Sequence, residues 1–183
     1  MKKIAVLVAN KSEEIEVVVP IDIWKRAGLF VKTISIEKKK NVVLARGTKL
    51  SCDTTLDQQN LNQFHAIFIP GGAGYIRFNT ELGIKVKTFV QKSFTNKDTW
   101  FLAICAAPSL FAHWNVLGNN KITCHPDIDH TSFIKNYVNK DVVVSHNFIT
   151  ANAPGTAHTF AFKVVENLVS NKMALEVKKQ MLY

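Results

Sequence analysis

The sequence predicts an α/β protein, a three-layer α/β/α sandwich on a mainly parallel sheet, and three observations carry that expectation. Apolar runs such as Ile67-Phe68-Ile69 and Phe101-Leu102-Ala103-Ile104 are continuous rather than alternating, as in strands buried on both faces. Amphipathic stretches of helical period separate them, giving the strand–helix alternation of this class. Residues able to do chemistry fall just after the strands, where open α/β sheets place their crevice.

In chain order, residues 3–9 form a first strand, Ile4 to Ala9 being wholly apolar. A helix follows over 13–27, with Ser12 as its N-cap and Glu13 and Glu14 favourable in its first turn. Pro20 removes the N–H that would bond the Glu16 carbonyl, loosening that turn. A strand over 31–36 leads to a small hairpin, 42–46 with 48–53, turning around Gly47. Residues 66–70 form a strand running into Gly71-Gly72-Ala73-Gly74, and 82–93 a helix. The strand 100–104 passes through Cys105 into a helix over 106–114. Pro108 suits the first turn of that helix because a missing N–H costs nothing there. Strands over 121–124, 142–145 and 148–151 and helices over 128–137, 157–169 and 173–181 complete the pattern.

Composition bounds the answer. A chain of 183 residues, 47% hydrophobic, suits one globular domain spanning residues 1–183. No apolar run approaches the roughly 20 residues a membrane span needs, and Met1-Lys2-Lys3 leads into a strand without a cleavage site. Three cysteines, Cys52, Cys105 and Cys124, fit a reducing compartment better than a disulfide framework, so a cytoplasmic location is expected. Net charge is +9, but the lysines are scattered, with Lys38-Lys39-Lys40 the longest run. No aromatic residues interleave with them along the chain. A solvated basic surface is therefore the reading, and nucleic acid is not expected as a partner.

Cys105 is the candidate nucleophile, at an elbow between strand and helix. Backbone N–H groups and the positive end of the helix dipole favour its thiolate there, which predicts a lowered pKa. The plainer reading is a core cysteine among Leu and Ile. The glycine segment reads either as a simple turn or as half of an oxyanion site, with the amides of Gly72 and Ala106 facing a carbonyl attacked by Cys105. A phosphate loop is not supported, since Gly72-Ala73-Gly74-Tyr75-Ile76-Arg77 lacks the third glycine. Glu16, flanked by Ile15, Val17, Val18 and Val19, is expected to be partly buried with a raised pKa, ready to trade a proton. His125 either orients Cys105 or transfers protons, or is a hydrogen-bonded structural histidine. Cys124, His125 and His130 lack metal-ligand spacing, so no metal is expected. His65, His113, His146 and His158 have no spacing that ties them to Cys105. Arg26 and Arg46 are candidate ligands for a small anion.

Together, Glu13-Glu14-Ile15-Glu16 with Pro20-Ile21-Asp22 and Arg26-Ala27-Gly28, then Pro70-Gly71-Gly72, Ala103-Ile104-Cys105-Ala106-Ala107-Pro108, Thr123-Cys124-His125-Pro126 and Pro154-Gly155-Thr156, resemble the ThiJ/PfpI superfamily. Within it they resemble the YajL-like, parkinsonism-associated deglycase branch, from Lys3 to about Val177. The resemblance implies a flavodoxin-like sandwich, a ThiJ/PfpI (class I glutamine amidotransferase-like) domain that forms a homodimer. It implies Cys105 as nucleophile on its elbow, Glu16 as acid–base partner, His125 beside them, and Gly72 and Ala106 as oxyanion donors. It implies an anion- or substrate-binding set of Arg26, Arg46, Gly71 and Pro154. The activities it implies are cofactor-free conversion of methylglyoxal or glyoxal to hydroxy acids and reversal of early glycation adducts. Oxidative-stress sensing with chaperone activity, through oxidation of Cys105 to sulfinate, is the alternative. The partners would be small aldehydes or glycated groups; neither cofactor nor membrane is involved. Two positions depart from relatives. Ala106 stands where proteolytic members carry a histidine, so a peptidase triad lacks its base and that activity ranks a distant third. Asn152 stands where close relatives often carry arginine.

Overall fold

Seven strands form one sheet in the order β5-β2-β1-β6-β7-β9-β8 in the computed structural model, which describes residues 1–183. They are β1 (Lys3–Val8), β2 (Phe30–Ser35), β5 (Thr54–Thr55), β6 (Ala66–Ile69), β7 (Trp100–Ile104), β8 (Val142–Ser145) and β9 (Phe148–Ala151). All neighbours pair in parallel except β8 with β9, the edge hairpin. A separate antiparallel pair, β3 (Asn41–Val43) and β4 (Lys49–Ser51), makes the predicted hairpin.

The continuous apolar runs serve two cores at once, because successive side chains leave a strand on opposite faces. Ile4, Val6, Val8, Leu102 and Ile104 point to one face. There they meet Val17, Ile23 and Trp24 of α1 (Glu14–Arg26), Phe160 and Val164 of α4 (Ala157–Leu168), and Val177 of α5 (Asn171–Met181). Ala5, Leu7, Ile69, Phe101 and Ala103 point to the other, against Val86 and Val90 of α2 (Ile84–Ser93) and Leu110 and Phe111 of α3 (Pro108–His113). Both layers of helix are thus needed, and the sandwich follows. No helix is long and apolar enough to cross a membrane.

Three expectations fail locally. Residues 121–124 form no strand: only Ile122 makes an isolated bridge, to Tyr137, while the Thr123 amide bonds the Thr150 hydroxyl (3.0 Å). Residues 128–137 form turns with one short 3₁₀ stretch, Thr131–Phe133, instead of a helix. Asp129 Oδ1 accepts from both the N–H and the hydroxyl of Thr131 (2.9 and 2.6 Å), and such local side-chain bonds compete with helix formation. Glu13, not Ser12, caps α1: its carboxylate accepts from the Glu16 N–H at 2.9 Å, while Ser12 Oγ accepts from Ala9 N. The helix runs on through Pro20.

Candidate functional site

The carboxyl ends of β1, β6, β7 and β9 converge on Cys105. Its φ is +62°, left-handed backbone that a side chain with a Cβ adopts only at a cost, so the elbow holds real strain. The surroundings fix it. The Cys105 N–H donates to Ala151 O (2.9 Å), and its carbonyl accepts from the His125 N–H (2.7 Å). These two bonds bring β9, with Pro154 three residues beyond Ala151, and the 123–126 segment to the thiol.

Glu16, in the first turn of α1, is fully buried. Its Oε2 accepts from the Gly71 N–H at 2.7 Å, and its Oε1 has no hydrogen-bond partner. Gly71 lies between the acid and the thiol. A Cβ there would stand 2.7 Å from Cys105 Cβ, 2.8 Å from Glu16 Oε2 and 2.9 Å from Ile104 O. Only glycine fits. Gly72, at φ +74°, packs equally tightly on the chain entering α1, where a Cβ would meet Lys11 O and Glu13 N at 2.6 Å each. The glycine segment therefore seats the start of α1, and with it Glu16, against the elbow.

Burial pushes the Glu16 acid up to about 7, against the lowering effect of the Gly71 N–H. With one oxygen unbonded and no cation among the groups that shift it, the neutral acid suits the place better than the carboxylate. The lowered thiol pKa expected from the sequence is corrected. Burial first, then the charge of Glu16, push Cys105 up to about 12. The N–H groups of Gly72 and Ala106 act in the opposite direction, favouring the thiolate. The helix behind them, α3, has only six residues, so individual amides rather than a long dipole face the thiol. The two groups titrate as a pair: when Glu16 holds the proton its repulsion vanishes, and its O–H becomes a third donor toward the sulfur.

The remaining predicted residues separate into near and far. His125 is half-buried next to Cys105 through its backbone. Its imidazole makes no bond to the Cys105 thiol or the Glu16 carboxyl; Nδ1 accepts from the Asp127 N–H at 3.3 Å and lies 3.6 Å from Asp127 Oδ2. Arg46 is exposed at the turn of the β3–β4 hairpin, and its N–H donates to Glu14 Oε1 (2.7 Å), docking the turn on the same end of α1 as Glu16. Arg26 does not join the site. It lies ten residues further along α1 than Glu16, roughly 15 Å along the axis, and pairs with Asp22 at 2.7 Å. Gly71 spends its N–H on Glu16 rather than offering it to a ligand. Asn152 is held at the site's edge by Asp141 (3.2 Å) and Thr156 (3.2 Å). Cys124 is buried in the opposite core from the one Cys105 packs against. The sequence missed the bonds of Glu14 and Glu13, because a helix-start carboxylate looks the same whether it meets solvent or a neighbouring turn.

Known proteins share this arrangement of chain. Protein dj-1beta of Drosophila melanogaster is 30% identical over 184 residues, 99% of this chain and 97% of that relative. DJ-1 homolog B of Arabidopsis thaliana is 32% identical over 98% of this chain, which spans 41% of that longer protein. The structure of oxidized Toxoplasma gondii DJ-1 superposes with a TM-score of 0.91 at 27% identity, covering 100% of this chain and 99% of that one. A family match spans residues 2–167, and with the flavodoxin-like sandwich around Cys105 it shows that the chain belongs to the DJ-1/PfpI family.

Proposed function

We propose that the chain is a cysteine-dependent, cofactor-free glyoxalase or deglycase acting on methylglyoxal, glyoxal or early glycation adducts. The observation that carries this reading is a strained Cys105 beside a buried, proton-holding Glu16, the two separated only by Gly71. In the reaction the Cys105 thiol gives its proton to the Glu16 carboxylate as its sulfur adds to the aldehyde carbon of methylglyoxal, and the Glu16 acid so formed protonates the resulting oxyanion, giving a hemithioacetal. The Glu16 carboxylate left by that step takes the C1 proton, giving an enediol as the C2 oxygen gains a proton, and returns it to C2 as the C1 hydroxyl proton leaves, so that one O–H proton has passed from the C1 oxygen to the C2 oxygen and a lactoyl thioester remains on Cys105. Water hydrolyses the thioester to lactate and regenerates the thiol, so the net change is addition of one water. The amides of Gly72 and Ala106 stabilise the oxyanions of both the addition and the hydrolysis. His125, whose backbone N–H bonds the Cys105 carbonyl, is assigned the hydrolytic water. Exposed Ile15 and Val18 on α1 and Val43 on the hairpin support a homodimer in which a second copy covers that face.

Methylglyoxal should yield lactate without glutathione, and Cys105→Ala and Glu16→Ala should each abolish it. Wild-type turnover equal to that of Cys105→Ala removes the proposal. The second reading, a redox-sensing protective protein, rests on the same protonated Glu16, which is suited to donate to a sulfinate oxygen. Mild peroxide should then add two oxygens at Cys105 alone, with altered client binding. Equal oxidation of Cys52 and Cys124 counts against it.

A further inference from the structure

The sheet turns back on itself at β1: the chain adds β2 and β5 on one side of that strand, then β6 and β7 on the other. In open α/β sheets, ligands sit at such a switch point, in the crevice outside the carboxyl ends of the strands. The thiol site takes the β6–β7 side of this end. On the β2 side a separate hollow of about 400 Å³ opens. Its wall comes from Asn10 after β1, from Glu37, Lys38, Lys39 and Asn41 after β2, and from Arg77 after β6. None of these residues belongs to the machinery around Cys105.

A saturated carboxylate fixes the centre of the hollow. Glu37, whose side chain is only 11% exposed, accepts from the Asn10 N–H (2.9 Å) and Arg77 Nε (2.6 Å) on Oε1, and from Arg77 Nη2 (2.6 Å) on Oε2. Both oxygens are spent, and one edge of the guanidinium is clamped. The other edge, Nη1 with the second N–H of Nη2, donates to nothing in the chain and is not sealed from solvent. Asn10 is held as firmly. Its Oδ1 accepts from the Val43 N–H (2.8 Å), which leaves its NH₂ unbonded. The next residue, Lys11, donates its N–H to Val43 O (2.8 Å) and accepts at its carbonyl from the Gly74 N–H (2.9 Å).

What remains free on the charged side chains is all donor. Lys38 and Lys39 are exposed and have no ion-pair partner. With Arg77 they set three cations against the one carboxylate, so two positive charges are left over. Glu81, the acid beside Leu82 in the chain, takes no part in the wall. Such a donor set calls for a ligand rich in acceptors. A carboxylate brings one charge and two oxygens, whereas a phosphate monoester brings about −1.5 to −2 charge and three terminal oxygens. The free guanidinium edge suits two of those oxygens at once. A bare phosphate does not fill a hollow with room for about a dozen waters. Leu82 and the unbonded Asn41 amide add wall that the organic part of an ester can meet.

We infer that this hollow binds a small phosphate monoester of sugar-phosphate size, Arg77 gripping the phosphate from its mount on Glu37 while Lys38, Lys39 and the Asn10 NH₂ complete the shell.

The test is calorimetric titration of the full chain with sorbitol 6-phosphate, which offers Cys105 no carbonyl to attack. One equivalent should bind, more weakly as salt rises, and equally well in Cys105→Ala. Arg77→Lys keeps a charge beside Glu37 but loses the fork, and should weaken binding about tenfold. Lys38→Gln combined with Lys39→Gln, at exposed positions that leave the Glu37–Arg77 pair intact, should also weaken it about tenfold. The control, Lys2→Gln with Lys97→Gln, lies at the other end of the sheet and should leave affinity within about twofold. Absence of binding at low salt, or binding undiminished in either test variant, overturns the inference. So does sorbitol binding as tightly as its phosphate, or a control loss as large as the test loss. Inorganic phosphate binding as tightly as the ester, or an oligothymidylate displacing the ester at equal phosphate concentration, overturns the assignment to a small monoester.

Discussion

Replacing Glu16 by Gln should stabilise the protein, and only at neutral to alkaline pH. The folded chain holds the Glu16 proton up to about 7, whereas the unfolded chain releases it near 4.5. A group raised in this way opposes folding progressively as pH climbs between those two values, because the fold must either take up a proton or carry a buried charge. Below 4.5 both states are protonated and the penalty is absent; above 7 it levels off. The difference of about 2.5 units corresponds to about 3 kcal/mol. Gln is the uncharged isostere: its oxygen accepts from the Gly71 N–H and its NH₂ faces the sulfur as the acid O–H would. The burial penalty on Cys105 lies above its ordinary 9 and does not enter the window. Urea denaturation of wild type and Glu16→Gln at pH 5 and pH 8 measures the effect. The variant should gain little at pH 5 and about 3 kcal/mol at pH 8, or about 6–12 °C in Tm for a chain of this size. A gain equal at the two pH values, or one that shrinks toward pH 8, would mean that Glu16 is ionised within the fold. The acid–base role given to it would then fail.

Two further substitutions test the elbow itself. Gly71→Ala should lower stability by about 1–3 kcal/mol and remove lactate formation, since its Cβ meets Cys105, Glu16 and a carbonyl within 3 Å; near-wild-type melting and activity would refute the packing described. Cys105→Gly should be more stable than Cys105→Ala by about 1 kcal/mol, because glycine occupies φ +62° without the Cβ penalty, whereas alanine at an unstrained position would be the more stable of the two.

The sheet was legible because its signal is local. Continuous runs such as Phe101 to Ile104 can be buried only from both sides, and each strand so identified forms within about a residue or two. Residues 121–137 were not legible because tertiary bonds decide them. Thr123 spends its amide on the Thr150 hydroxyl, a partner 27 positions away, and Asp129 closes its own turn before a helix can start. The site divides along the same line. Glu16 stood out because a carboxylate among valines must be neutralised or bonded. The thiol pKa was misjudged because the elbow's amides can be inferred from the strand–Cys–Pro pattern, but the burial and the opposing carboxyl that outweigh them cannot. Arg26 fits a motif, yet ten residues of helix carry it away from the Cys105 of its own chain.

The two ends of the sheet also explain how a chain of net charge +9 keeps a carboxylic acid protonated near neutrality. An ammonium or guanidinium within about 4–6 Å of Glu16 would favour the carboxylate and lower its pKa by one or more units, erasing the proton donor. Among the groups that shift Glu16, the only charge is another acid, Glu13, which raises it further. Two arginines are turned elsewhere: Arg26 by the length of α1, Arg77 by its paired bonds to Glu37 (2.6 Å each). Meanwhile Lys2 and Lys97 precede their strands and Lys3 opens its own. From Trp100 to Cys105 the chain rises roughly 17 Å, about two screening lengths at physiological salt. Parallel pairing makes this separation possible. It gives the sheet one end where the parallel strands start and another where they stop, so that Lys2, Lys3 and Lys97 and a proton-holding acid occupy the same small fold without cancelling each other.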